Sequence, residues 1–303
     1  LELRTQLESE GVKFKTKCDT EVLLAMYAKK GVDCLQELDG MFAFAIWDEE
    51  KQELFCARDR FGEKPFHYFF DDEQFIFGSE MKEIWAAGVK RTIRQDKLQN
   101  FVTPIKANSQ FELTDTYFEG INRLNAAHWL KIDRTNKVTI GKYWSLDNIE
   151  IDHNISLEEA TNKYYELFED SVQLRLRSDV PVGSSLSGGL DSSSIVCLID
   201  KIKSNSQTQK VFSARFRNFE KDEGVFIDKV VESCSNVEPF TTYPAEEDML
   251  SFMEKALHHQ EEPFGSSSIL AQWKVMELAK NNNVTVLMDG QGADEYLAGY
   301  TPD

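Results

Sequence analysis

An α/β chain of two modules in series is predicted, on three observations. Up to about residue 145 the sequence reads as short aromatic and β-branched strands broken by polar turns; beyond about residue 155 strands and helices alternate; and Ser145 to Ile155 between them is polar and follows neither period. Regular alternation of strand and helix implies a parallel sheet with crossover helices in the second module. At 303 residues the length also favours two domains, each with enough chain to bury a core.

The elements follow in order. Thr20 to Lys30 is a helix closed by Gly31, where a left-handed cap is wanted. Met41 to Asp48 and Glu53 to Arg58 are two strands of a hairpin around the polar turn Glu49 to Gln52. Ser79 to Ala87 is a second helix, stopped by Gly88. The boundary falls in the polar segment, giving modules of residues 1–148 and 149–303. Ser156 and Glu159 form an S-x-x-E capping box ahead of a long helix to Leu176. Val180 to Leu186, Lys210 to Phe216 and Val284 to Met288 read as strands, with a helix from about Asp191 and another through Tyr296 and Leu297. The acids Glu246, Glu247 and Asp248 before Met249 mark a further helix N-terminus.

Composition excludes several classes. With 41% apolar and 28% charged residues and only 7 Pro, the chain is neither disordered nor collagenous. The longest wholly apolar run, Met41 to Trp47, is far short of the roughly 18 residues of a membrane span, so no membrane partner is expected. A net charge of −18 disfavours nonspecific grip on nucleic acid, and no nucleic-acid partner is expected. Five widely spaced cysteines without a C-x-x-C pair argue for a reducing, cytoplasmic setting rather than a disulfide framework or a structural zinc site. The charged start without a signal core or initiator Met suggests an interior piece of a longer protein.

The chemistry centres on Ser187-Gly188-Gly189-Leu190-Asp191-Ser192-Ser193, which follows a predicted strand and opens a predicted helix. Backbone N–H groups and the positive helix end converge there, and the paired glycines remove the Cβ atoms that would hold a phosphate away. Three serines add hydroxyl donors. Neither a Walker lysine nor a Gly-x-Gly-x-x-Gly fingerprint is present. The bland alternative is an ordinary strand-to-helix turn with Asp191 as a first-turn acid. If a phosphate does bind, a carboxylate about 4 Å away is repelled by roughly 4 kcal/mol at an effective dielectric of 20, so a cation must intervene, and Mg²⁺ is commonly held by carboxylates together with phosphates.

A second loop, Asp289-Gly290-Gln291-Gly292-Ala293-Asp294-Glu295, follows the last strand and would face the same crevice in a parallel sheet. Asp294 is then the second metal ligand. A glycine turn with helix-capping acids is the alternative. His258 and His259 are adjacent, share no helix face and read as a solvated helix end rather than a metal pair; Glu261 and Glu262 before Pro263 read as a loop entering the site edge.

These strings resemble the glutamine-dependent asparagine synthetase family. Ser187 to Ser193 is similar to its pyrophosphate-binding loop, Asp179 to Gly183 to its lead-in strand, Gly290 to Glu295 to its acidic loop, and Glu262-Pro263-Phe264 also matches. In the first half Leu38 to Ala45, Arg58 to Gly62 with Lys64-Pro65, and Ser79 to Lys82 resemble its N-terminal-nucleophile glutaminase domain, and Tyr143-Trp144 its exit into the synthetase domain.

The resemblance implies an incomplete α/β/β/α glutaminase domain followed by an incomplete doubly wound ATP pyrophosphatase domain. It implies ATP-dependent conversion of aspartate to asparagine through a β-aspartyl-adenylate, with nitrogen from glutamine or ammonia. It places Leu186, the Ser187–Ser193 loop, Ala214, Asp289 and Gly290 against ATP, Asp191 and Asp294 on Mg²⁺, and Asp19 on the α-amino group of glutamine. A cytoplasmic enzyme is implied, with room for a homodimer.

Two departures bear on the chemistry. The family's nucleophilic cysteine opens the mature chain, and no such segment precedes Leu1; Cys18 and Cys34 have no neighbouring base and read as incidental. Gln291 stands where the family commonly has a catalytic glutamate, and an amide orients but accepts no proton. A related adenylating enzyme acting on another carboxylate, such as a β-lactam synthetase, and a non-catalytic nucleotide-binding homologue therefore stay open.

Overall fold

The computed structural model describes residues 1–103, 114–203, 208–217, 219, 220, 222–245, 248–297 and 299. The chain divides into two units, residues 1–151 and 152–303.

The first unit begins with helices α1 (Glu2–Ser9) and α2 (Asp19–Lys30), the latter closed by Gly31 at φ +57°. Strands β1 (Ala43–Asp48) and β2 (Glu53–Arg58) form the expected hairpin, with Asp48 opposite Glu53 and Gln52 at positive φ in the turn. Then come β3 (His67–Phe70), β4 (Phe75–Gly78), α3 (Met81–Ala86), α4 (Gln95–Val102), β5 (Ile121–Arg123), β6 (His128–Ile132) and β7 (Val138–Lys142). They make two antiparallel sheets, β1-β2-β6-β7 and β4-β3-β5.

Strand alternation sets the layers. Along β2, Phe55 and Ala57 pack with Leu7, Met26 and Tyr27 of the two N-terminal helices, while Cys56 between them packs with Phe66 and Tyr68 next to the second sheet. Along β3 and β4, Phe69 and Ile76 turn the other way, onto Met81 and Ile84 of α3. The order is therefore helix, sheet, sheet, helix, as the period-2 pattern of doubly covered strands requires. The helix expected from Ser79 starts two residues later. Glu80 is its N-cap and Glu83 completes a capping box.

The second unit opens with α5 (Leu157–Arg175), capped by Ser156 and Glu159 as the sequence suggests. There follow β8 (Val182–Ser185), α6 (Leu190–Ile202), β9 (Gln209–Ala214), α7 (Gly224–Ser233), β10 (Val237–Thr242), α8 (Asp248–Gln260), α9 (Ser268–Asn281), β11 (Val286–Met288) and α10 (Ala293–Leu297). The strands are parallel, in the order β10-β9-β8-β11. Val211 of β9 faces α6 and α7, and Phe212 faces α9, so helices cover both faces of a doubly wound sheet. Strand β10 was not expected from the sequence, because Pro239 interrupts it; it lies at the sheet edge, where a missing N–H is tolerated. Of the acids expected to open α8, Glu246 and Glu247 lie outside the described residues.

Among the described residues no helix is long and apolar enough to cross a membrane.

Candidate active site

In the second unit the chain runs from β8 out to β9 and β10, then returns to place β11 on the other side of β8. The gap beyond the carboxyl ends of β8 and β11 is thus a topological switch point, the place where open α/β sheets bind ligands. The Ser187 loop and the Asp289 loop both leave the sheet there.

The first loop is pinned before it turns. Leu186 is buried, its amide donates to the Phe212 carbonyl at 2.9 Å, and its carbonyl accepts from Ser213 Oγ at 2.6 Å. The Ser187 amide then donates to Ser192 Oγ at 3.2 Å, the two hydroxyls lie 3.0 Å apart, and the Gly189 amide donates to Ser187 Oγ at 3.3 Å. Gly188 takes φ +92°, and a Cβ there would sit 3.0 Å from the Glu223 carbonyl oxygen and 3.1 Å from Phe226 Cβ at the start of α7. Only glycine suits both demands.

Gly189 is the N-cap of α6 and caps it with no side-chain hydrogen bond. Among the described residues no side chain caps the first-turn amides, which lie at the positive end of a 13-residue helix. Ser193 Oγ, in the same turn, is buried and has no partner among the described residues.

The second loop meets the first through backbone. A Cβ on Gly290 would lie 2.9 Å from Asp191 Cβ and 3.0 Å from the Ser192 nitrogen. Ser185 Oγ donates to Asp289 Oδ2 at 3.2 Å, a second tie between the strand ends. Gly292, at φ +98°, turns the chain into α10, whose first turn carries Asp294 and Glu295. Gln291 is exposed, Asp191 and Asp294 are half-buried, and among the described residues neither of these two carboxylates has a hydrogen-bond or ion-pair partner. Ala214 ends β9 opposite Thr242, one strand away from the loop.

Two tyrosines that the sequence did not flag border this site. Tyr164 of α5 and Tyr296 of α10 bring their hydroxyls within 3.4 Å. That hydrogen bond, partial burial and the nearby negative charges, Asp191 among them, push the Tyr164 hydroxyl up to about 12. Their spacing of 132 residues leaves no local signal.

Beside Ala214, where β9 and β10 end, a cavity of about 380 Å³ is lined by Arg215, Phe216, Arg217, Phe219, Asp222 and Tyr243. Asp222 accepts from the Phe216 amide and from Arg215, which together hold its carboxyl below the usual range. The cavity includes none of the predicted site residues.

His258 and His259 end α8 with their rings 5.3 Å apart, and His259 also packs on Trp273 of α9. Among the described residues no group of three or more His, Cys, Asp or Glu could hold a metal by itself. Glu261 is buried at φ +63°, just after α8.

In the first unit Asp19 is exposed at the start of α2, its Oδ1 accepting from the Thr20 amide at 2.8 Å. The preceding turn is fixed by Glu21, which accepts from the Lys15 and Thr16 amides, and by Arg4, which donates to the Thr16 and Cys18 carbonyls. The Arg58–Gly62 string has a structural role. Asp59, 1% exposed, accepts four amides, from Phe42, Phe61, Glu63 and Lys64, while Arg58 donates to the Gly62, Lys64 and Leu124 carbonyls.

Fold and loops together define a two-part protein, and comparison with known families gives each part its class. Residues 1–144 match the glutamine amidotransferase domain family, and residues 163–303 match the asparagine synthase family. A putative glutamine-hydrolysing asparagine synthetase 2 of Methanocaldococcus jannaschii is 36% identical, over 99% of this chain and 56% of its own length. Asparagine synthetase 3 of Bacillus subtilis is 32% identical, over 99% and 50%, and the amidase chyE of Penicillium rubens 30%, over 98% and 45%. Each part thus matches its own family model, the chain is similar to glutamine-hydrolysing asparagine synthetases, and it spans about half the length of the curated relatives it matches.

Proposed function

We propose that the second unit binds ATP with its triphosphate on the Ser187–Ser193 loop and activates a carboxylate, aspartate in the first reading, for amidation. The observation that carries this is the contact of the two loops at the switch point, with the uncapped first turn of α6 between them. The donors there are backbone amides and hydroxyls without a lysine. Such a set grips pyrophosphate as a leaving group and suits attack at the α phosphorus. The acceptor carboxylate attacks that phosphorus, the bond to pyrophosphate breaks, and the resulting acyl-adenylate is opened by ammonia with loss of AMP.

In this reading Leu186, Ala214, Asp289 and Gly290 border the nucleotide, and Asp191 and Asp294 are the metal-facing acids. Two carboxylates that are unpartnered among the described residues, together with phosphate oxygens, suit Mg²⁺, which needs few protein ligands when phosphates supply the rest. Held by these two acids, Mg²⁺ would supply charge neutralisation for the departing pyrophosphate. Asp19 would hold the α-amino group of glutamine in the first unit, the source of ammonia in the full-length protein. The cytoplasmic setting and a homodimer belong to the same proposal.

Gln291 and the amidase relative favour a second reading, in which a different carboxylate is the acceptor. Pyrophosphate release by the full-length protein decides between them. Release that requires aspartate supports the first; release that requires another carboxylic acid supports the second; release with no acid dependence, or none at all, overturns both.

A further inference from the structure

Among the five thiols, Cys34 and Cys56 are buried, and burial pushes them up to about 11 and about 12. They are inert. Cys18 is exposed and its Sγ lies 3.5 Å from Asp19 Oδ1. Cys197 and Cys234 differ from all three. Cys197 is exposed in the second turn of α6, Cys234 is half-buried at the C-cap of α7, and their Sγ atoms are 3.9 Å apart.

We propose that Cys197 and Cys234 form a redox modification site, at which a small-molecule disulfide such as oxidised glutathione converts the two thiols into an intramolecular disulfide. The sulfurs are in van der Waals contact and need to close by about 2 Å, a displacement that side-chain rotation on two packed helices supplies. The helices are held by a shared core, Val196 of α6 with Ile227, Val230 and Val231 of α7.

The order of events follows from exposure. Cys197 meets the oxidant first: its proton leaves to solvent, its sulfur attacks the oxidant disulfide, and one thiolate departs and takes up a proton. Cys234 is held up to about 11, first by burial and next by the negative charge of Cys197, and that second cause disappears once Cys197 is in the mixed disulfide. Cys234 then loses its proton, attacks Cys197 Sγ and expels the second small thiol. Two S–H bonds become one S–S bond, and two electrons pass to the oxidant, reduced to two thiols.

The bond fastens the two helices whose near ends carry the phosphate-facing loop. Helix α6 begins at that loop, and α7 begins where Glu223 and Phe226 pack on Gly188. Closing a loop between residues 197 and 234 restricts the unfolded chain, so the oxidised protein melts about 5 °C higher than the reduced one.

The test is non-reducing peptide mapping of the intact chain after incubation with oxidised glutathione, with thermal melts of the same samples. Expected are a linked Cys197–Cys234 peptide two hydrogens lighter than its parts, a raised melting temperature reversed by dithiothreitol, and loss of both effects in C197S and in C234S. Cys18 serves as the internal reference and carries only a mixed disulfide. A glutathione adduct persisting on Cys197, both thiols still free, or a link from either to another cysteine would overturn the proposal. Circular dichroism of both serine variants verifies that they fold.

Discussion

Two loops built from the same materials, an acid beside glycines after a strand, end in opposite states. In the first unit Asp59 is buried and accepts four backbone amides, and Gly62 turns at φ +69° with Arg58 against it. In the second unit the first turn of α6 has no side-chain cap, and among the described residues Asp191 and Asp294 have no hydrogen-bond or ion-pair partner. The difference teaches which acid is spent on folding and which is left available: an acid whose lone pairs are all taken by the chain cannot coordinate anything else.

The sharpest way to break this comparison is to remove each acid. Asp59→Ala deprives four part-buried amides of their buried acceptor and is expected to destabilise the first unit by about 3–5 kcal/mol in urea unfolding. Asp191→Asn should move stability by no more than about 0.5 kcal/mol. A reversal of these two results removes the distinction. Next in size, Gly290→Ala drives a Cβ into Asp191 and the Ser192 backbone, at an expected cost of about 2 kcal/mol, whereas Gly292→Ala meets no neighbouring atom and pays only for its positive φ, about 1 kcal/mol. Equal costs would mean that the loops do not touch. Ser193→Ala deletes a buried hydroxyl that has no partner among the described residues and should change stability by less than about 0.5 kcal/mol in the absence of ligand.

Much of both units was legible where the signals are local. The strand, loop and helix around Ser187, the capping box at Ser156 and the glycine stops at Gly31 and Gly88 each depend on a few consecutive residues. What was not legible is long-range. The Arg58–Asp59 network reaches Phe42 and Leu124, Gly290 meets Asp191 across about a hundred residues, and Cys197 meets Cys234 across 37. Strand β10 was hidden because its proline and polar residues are tolerated only at an edge, and an edge is a property of the finished sheet.

The smallest expected effect is a pH dependence at Asp222. Its folded pKa lies below 3.8, held there by the Phe216 amide and Arg215, so its contribution to stability is full above the unfolded value and fades as pH falls through the folded one. Unfolding midpoints of the parent and Asp222→Asn should therefore differ more at pH 6 than at pH 3; a constant difference would show that the carboxylate's charge plays no part.

The most direct test of the shared phosphate site is calorimetric titration of pyrophosphate with Mg²⁺ into the parent chain, Asp191→Asn and Asp294→Asn. Binding to the parent and a loss of at least about tenfold in each folded variant is the predicted result. Equal affinity in all three would contradict it.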